Sequence, residues 1–141
     1  MVRVNLINPK ALADQHLIAE YNEILMLFGY VKRYPIPLNI PSQYCLGKGH
    51  MTFFKDKLLY LQKRHETLKT EMRRRGFVTN MTVSLDTFDT PLIQDWKPIE
   101  KDKKIIRERI LWKLKKKPQY YLYCREHKPL KFFTDLITNA H

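Results

Sequence analysis

The sequence predicts an all-α protein with three main helices joined by long ordered loops. Three segments place apolar residues at spacings of three and four, the period of one helix face. The segments between them are rich in Pro, Gly, Asn and Thr, and no alternating stretch is long enough to indicate a strand. At 141 residues the chain fits a single compact domain over 1–141, with 128–141 as a C-terminal extension and the N-terminal segment packed near the first two helices.

The first predicted helix begins soon after Asn8-Pro9, which is a capping and first-turn signal, and it ends before Pro35. Spacings of three and four predict a buried apolar stripe made of Leu17, Tyr21, Ile24, Phe28 and Val31. A separate polar line on the same helix contains His16, Glu20 and Glu23.

The second predicted helix starts at about Thr52 and stops at Gly76, after three arginines whose charge suits a helix C-terminus. His65 interrupts its apolar stripe and is expected at the edge of the core. His50 precedes the helix in a glycine-containing turn, where we expect it to hydrogen-bond to the backbone. The core stripe itself consists of Phe54, Leu58, Leu61, Leu68 and Met72.

The third predicted helix starts near Pro98 and ends before Pro118. Its inward face is predicted to contain Ile106, Ile110 and Leu114. A neighbouring face, which a phosphate backbone could follow, carries Arg109, Lys113 and Lys116. Beyond the helix the chain becomes basic and aromatic.

The charge of the chain indicates a polyanionic partner. Lysine and arginine number 26 against 14 acidic residues, giving a formal charge of +12. No apolar run approaches the ~20 residues of a membrane-spanning helix, so nucleic acid is favoured over a membrane. The N-terminus lacks a secretory signal, which predicts a cytoplasmic protein, associated with the nucleoid when DNA is bound. Nothing in the sequence indicates an obligate dimer, so a monomer is expected.

Metal and cofactor chemistry is not indicated by the sequence. Cys45 and Cys124 lie far apart and form no Cys-x-x-Cys pair, so reduced thiols are expected. Cys124 and His127 have the spacing of half a zinc site, but no second pair accompanies them. We therefore expect neither a metal nor a cofactor.

Three ordered motifs resemble the pyrimidine-dimer DNA glycosylases, the family of phage endonuclease V. The first is Arg3-Val4-Asn5-Leu6 with the Leu12–Glu23 segment, including Ala13-Asp14-Gln15-His16-Leu17. The second is Leu46-Gly47-Lys48-Gly49-His50, continuing to Gly76-Phe77. The third is the basic helix that ends at Pro118, followed by Tyr120-Tyr121-x-Tyr123. The likeness covers most of residues 3–124 and is weakest between 78 and 99.

The resemblance implies a bifunctional glycosylase and abasic-site lyase whose nucleophile is the amine of the residue after the initiator Met, here Val2. An α-amine with a pKa of ~8 is uncharged in about a tenth of molecules at pH 7, far more often than lysine, and the neighbouring cation Arg3 should lower that pKa further. Retention of Met1 would displace the amine by one residue. Glu23 matches the family's catalytic glutamate, which would stabilise cationic intermediates and move the C2′ proton.

The expected partner is damaged double-stranded DNA, bound through phosphates, through base stacking and by extrusion of a nucleotide. In the family the extruded base is the adenine opposite the dimer. The residues expected to contact DNA are Arg3, Gln15, His16, Asn22, Met26, Arg109, Lys113, Lys116, Tyr120, Tyr121 and Tyr123. The three tyrosines have a core role as their alternative.

Asn22 and Met26 depart from the family, which usually has arginines at these positions. Their neutrality leaves open the same chemistry on alkylated bases, other damaged bases or abasic sites instead of cyclobutane dimers. A basic DNA-binding protein without catalysis is the further alternative.

Overall fold

The computed structural model describes residues 2–141, and within them it is mostly helical with one small hairpin. The helices are α1 (Asp14–Arg33), α2 (His50–Phe53), α3 (Leu58–Arg74), α4 (Glu100–Lys116) and α5 (Leu130–Thr138). Short 3-10 turns lie at Pro9–Ala11, Phe54–Asp56 and Thr90–Leu92. The antiparallel hairpin pairs β1 (Leu122–Tyr123) with β2 (Glu126–His127).

The helical class predicted from sequence is confirmed, and the three apolar stripes are buried. All five stripe residues of α1 are at most 7% exposed, as are those predicted for the second and third helices. α1 packs on α3, and α4 packs on α5. Within residues 2–141, no helix has the length and apolar character needed to cross a bilayer.

The predicted second helix is in fact interrupted. After α2 comes a 3-10 turn, and Lys57 then leaves the helical region with φ −125° and ψ 40° before α3 begins. Successive residues of a regular helix point about 100° apart, whereas Phe53 and Phe54 are both buried here. Both rings lie in the core ahead of the break at Lys57.

The first helix also starts later than predicted. Asn8 accepts the Lys10 N–H with its side chain at 3.0 Å, but it caps the 3-10 turn at Pro9–Ala11. α1 starts only at Asp14, whose buried carboxylate is committed to other elements. The cap signal was therefore correct for a turn and wrong for the long helix.

The C-terminal part adds two elements that the three-helix prediction lacked. Residues 128–141, expected as an extension, contain α5, which buries Phe133 and Ile137. Before it, the hairpin turns at Cys124 and Arg125, with φ values of 51° and 66°. Their N–H groups donate to the two carboxylate oxygens of Asp14 at 3.0 and 2.7 Å, and these bonds support a backbone conformation that non-glycine residues rarely adopt.

A buried ion pair ties the N-terminal segment to α1 and α3. Arg64 donates from Nε and Nη2 to the Glu20 carboxylate at 2.7 and 3.0 Å, and from Nη1 to the carbonyl of Ile7 at 2.7 Å. Asn5 donates to the same carboxylate at 2.8 Å. The guanidinium and carboxylate are thus satisfied without water, which a buried charge pair requires.

His65 lies inside the core, so its prediction at the core edge is wrong. The residue is fully buried, and its Nε2 is 3.1 Å from the Tyr21 carbonyl. Its ring stacks on that of Tyr21, with centroids 4.7 Å apart. This backbone bond lets a polar ring occupy an apolar stripe.

We expect Arg64→Ala to lower the free energy of unfolding by about 3–5 kcal/mol, because it leaves Glu20 buried without its counter-charge. Urea unfolding followed by circular dichroism measures the change. The control is Lys63→Ala, one residue earlier, which removes an exposed pair with Asp95 and should cost less than about 1 kcal/mol. Equal losses in the two variants would contradict this account of the ion pair.

Candidate active site

Glu23 lies in a small pocket between the N-terminal segment, α1 and α4. The pocket encloses about 70 Å3. Its polar lining comes from Arg3, Asn5, His16, Glu20, Glu23, Arg109 and Lys113. Five residues named from the sequence as site candidates are therefore together.

Helical spacing explains how this pocket is assembled. His16, Glu20 and Glu23 are four and three residues apart, so α1 presents them on one side, as the polar line predicted. Arg109 and Lys113 are four residues apart on α4 and reach the pocket from across it. Arg3 arrives from the irregular N-terminal segment.

The carboxyl group of Glu23 is held close to the start of the chain. Burial raises its pKa, while a hydrogen bond from the Arg3 backbone and the charge of Lys113 act in the opposite direction. The Glu23 carboxylate therefore contacts the N-terminal segment at the backbone nitrogen of Arg3.

Cations outnumber uncompensated carboxylates around this pocket. Burial and the charge of Arg109 lower the pKa of Arg3, and burial, Arg3 and Arg109 lower that of Lys113. Because Glu20 is already paired with Arg64, Glu23 faces three cations. Nε of Arg109 is buried and has no hydrogen-bond partner within residues 2–141. Such an excess of positive charge favours an anion such as a phosphate.

His16 is a neutral member of the pocket. Burial, Lys113 and Arg3 lower its pKa to about 4, so the imidazole is uncharged at neutral pH. Its ring lies 4.7 Å from that of Tyr121, centroid to centroid. His16 therefore adds a polar ring to the site without adding charge.

His50 and Tyr44 fix the N-terminal segment by its backbone. The Val4 N–H donates to Nε2 of His50 at 3.0 Å, and Nδ1 of His50 lies 2.8 Å from the Cys45 carbonyl. Since a carbonyl only accepts, the proton of the neutral ring is on Nδ1. The Tyr44 hydroxyl donates to the Val4 carbonyl at 3.0 Å. The expected backbone role of His50 is thus confirmed.

Gln15 binds backbone groups instead of lining the pocket. Its amide donates to the Tyr120 carbonyl at 2.9 Å and accepts the Leu122 N–H at 3.0 Å. It thereby positions the aromatic segment after α4. Both bonds span more than a hundred residues of sequence, and no local pattern indicates them.

The three tyrosines occupy different environments. Tyr120 is 53% exposed, whereas Tyr121 is buried against His16 and Phe133. Tyr123 donates its hydroxyl to the Lys10 carbonyl at 2.8 Å, and its ring lies under the Arg75 guanidinium at 4.1 Å. The core alternative therefore fits Tyr121 and Tyr123, and Tyr120 presents an open aromatic face.

Three further candidates lie outside the pocket lining on exposed helix surface. Asn22 and Met26 are exposed on α1, next to the face that carries Glu23, and Met26 is 58% exposed. Lys116 is exposed on α4, one turn beyond Lys113. The structure leaves all three accessible to a large ligand.

Comparison with known protein families gives a match over the N-terminal part of the chain. The model of a family described as pyrimidine dimer DNA glycosylase matches residues 1–85, which is more than half of the chain. This stretch contains Val2, Arg3, His16 and Glu23. α4, with Arg109 and Lys113, follows the matched stretch and completes the pocket.

We expect the protein to lose stability as the pH falls from about 6.5 towards 5, partly through His50. Burial lowers the pKa of His50 below its ordinary 6.5, so the unfolded chain binds a proton that the folded chain does not. This contribution is fully present above pH 6.5 and is lost below it. Buried His16 and His65 act in the same direction.

His50→Gln should make the free energy of unfolding depend less on pH, by at most about 1.4 kcal/mol per pH unit. Urea titrations at several pH values measure this slope. Lys48→Gln, in the same turn, is the control and should keep the wild-type slope. An unchanged slope in His50→Gln would contradict the assignment of His50 as an uncharged ring that hydrogen-bonds to the backbone.

Proposed function

The chain belongs to the pyrimidine dimer DNA glycosylase family, and on this premise we propose that it excises cyclobutane pyrimidine dimers from duplex DNA and then cleaves the strand as an abasic-site lyase. The observation that carries the proposal is the contact between the Glu23 carboxyl group and the Arg3 backbone nitrogen. It places an acid beside the first residues of the chain. Cations suited to DNA phosphates surround both groups.

The proposed nucleophile is the α-amine of Val2, freed by removal of Met1. Val is small enough for this processing. Consecutive backbone nitrogens are only roughly 3 Å apart, so the Val2 nitrogen lies close to the carboxyl group that meets Arg3. The Val2 residue itself is 7% exposed, which supports a fixed position for that nitrogen.

The amine must lose its proton before it can attack. An ordinary α-amine is uncharged in about a tenth of molecules at pH 7. The nearby charges of Arg3, Arg109 and Lys113 disfavour an additional cation and so increase this fraction. The Glu23 carboxylate acts in the opposite direction, because a nearby negative charge stabilises the protonated amine.

In the proposed reaction the amine lone pair forms a bond to C1′ of deoxyribose. The bond from C1′ to the pyrimidine nitrogen breaks, and its electron pair goes to that nitrogen, which takes up the proton lost by the amine. The base stays linked to the neighbouring pyrimidine through the cyclobutane ring. Opening of the sugar ring then gives an imine. Removal of a C2′ proton expels the 3′ phosphate, and water finally hydrolyses the imine.

Glu23 has two tasks in this scheme. As a carboxylate it stabilises the positive charge of the protonated imine, and as a base it accepts the C2′ proton. The raised pKa that burial gives this group suits proton transfer near neutral pH. Arg3, Arg109 and Lys113 hold the strand by its phosphates.

We expect borohydride to trap the protein covalently on a duplex that contains a cyclobutane dimer, because it reduces the imine to a stable amine. Denaturing electrophoresis detects the product, and mass mapping of the cross-linked peptide should place it on Val2. An undamaged duplex is the control. A product on a lysine side chain, or no product from folded protein, would contradict the proposed nucleophile.

A second candidate function keeps this chemistry and changes the lesion. It is favoured by the exposed, uncharged Asn22 and Met26, since the family usually has arginines there. The same trapping assay, repeated with alkylated bases and with abasic sites, separates the two. Trapping that is faster on dimers than on alkylated bases supports the first function, and the reverse order supports the second.

Glu23→Gln should reduce strand cleavage by a factor of about 10²–10⁴, because it removes the general base that accepts the C2′ proton while keeping the shape of the side chain. Gel electrophoresis of end-labelled duplex measures strand cleavage, and fluorescence anisotropy measures binding, which should persist. Glu108→Gln, at an exposed position of α4, is the matched control. Wild-type rates in Glu23→Gln would contradict the role of Glu23. No turnover by the wild type would indicate a DNA-binding protein without this catalysis.

A further inference from the structure

Trp112 is the most exposed aromatic side chain of α4 and has no part in the pocket of Glu23. It is 49% exposed, although burying an indole is strongly favourable. Its inward neighbours on the helix, Ile110 and Leu114, are buried, so the ring lies on the outer side of α4. An indole held in this position leaves a large π surface available to a ligand.

Two cations flank this indole. The guanidinium carbon of Arg109 is 4.4 Å from the ring centroid, and Nζ of Lys116 is 4.6 Å from it. They come from the preceding and following turns of α4. The ring is therefore held in a positively charged setting, which repels a basic partner and attracts an anionic one.

A groove of about 310 Å3 opens beside the ring. Its lining consists of Arg109, Trp112, Lys113, Lys116, Lys117 and Tyr121. Arg109 and Lys113 also line the pocket of Glu23, so the groove and the pocket are adjacent. A strand that reacts at Glu23 therefore has neighbouring nucleotides within reach of Trp112.

We propose that this groove holds an unstacked nucleobase of the bound DNA against the indole of Trp112, with Lys116 and Lys117 at the flanking phosphates. The proposal rests on the proposed function, since DNA must bind at Glu23. A nucleotide combines a flat π face with an adjacent anion, and the groove offers a π face with adjacent cations. An acidic peptide would use the cations alone and leave the indole uncovered.

The proposal also accounts for the neutral positions on α1. Asn22 and Met26 supply no charge where the family usually has arginines. The stacking contact and the groove lysines, on the other side of the Glu23 pocket, provide replacement contacts to the DNA. These lysines are Lys113, Lys116 and Lys117.

The test uses the full chain and a duplex with an uncleavable tetrahydrofuran abasic site, in which 2-aminopurine occupies successive positions on both strands. At one position the wild type should keep the probe quenched by stacking, and Trp112→Ala should make it several-fold brighter. Trp112→Ala should also weaken binding by about tenfold to hundredfold. Trp112→Phe should retain most of both effects.

Ile99→Ala, which removes another exposed apolar side chain next to α4, is the matched control and should behave as the wild type. Equal probe brightness in wild type and Trp112→Ala at every position, or equal affinity, would overturn the stacking proposal. Borohydride trapping on a dimer duplex is run in parallel. Trapping without the Trp112 effect refutes only the stacking site, whereas the Trp112 effect without trapping refutes only the catalytic proposal.

Discussion

The structure depends on one constraint, which is that residues 2–7 are buried, apart from the partly buried Arg3, without belonging to a helix or strand. Their peptide groups need partners that regular secondary structure would otherwise supply. His50 and Tyr44 satisfy the two sides of Val4, and Arg64 satisfies the Ile7 carbonyl. The hydrogen bonds that satisfy the buried peptide groups of the segment also position its backbone nitrogens beside Glu23. Stability and the geometry of the candidate active site therefore share the same atoms.

Two glutamates on neighbouring turns of α1 show how the surroundings separate structural from chemical roles. Glu20 is 1% exposed and receives three hydrogen bonds from Arg64 and Asn5. Its charge is fully engaged, so it can only hold the segment in place. Glu23 lies at the half-buried end of the same polar line and contacts backbone and solvent-accessible pocket. A carboxylate with that freedom can exchange a proton, and one locked in a bidentate ion pair cannot.

Periodicity predicted the buried faces of the helices because burial on one side of a helix is a local property of the sequence. It did not predict the break at Lys57, the hairpin at Cys124 and Arg125, or the burial of His65. The hairpin and the buried histidine each depend on a distant partner: Asp14 binds the hairpin turn, and the Tyr21 carbonyl meets the histidine. Such partners are far apart in sequence, and a single sequence contains no record of their proximity.

The same distinction applies to the site. Spacing and resemblance named Glu23, His16 and the two cations of α4, because each set recurs on one helix face. Gln15 was named for its place in a motif, but its amide serves the backbone after α4. Trp112 was passed over, because an aromatic residue among lysines in a helical pattern reads as an ordinary surface position. Its significance comes from being on the exposed side of a helix whose adjacent face lines the pocket, and that relation exists only once α1 and α4 are brought together.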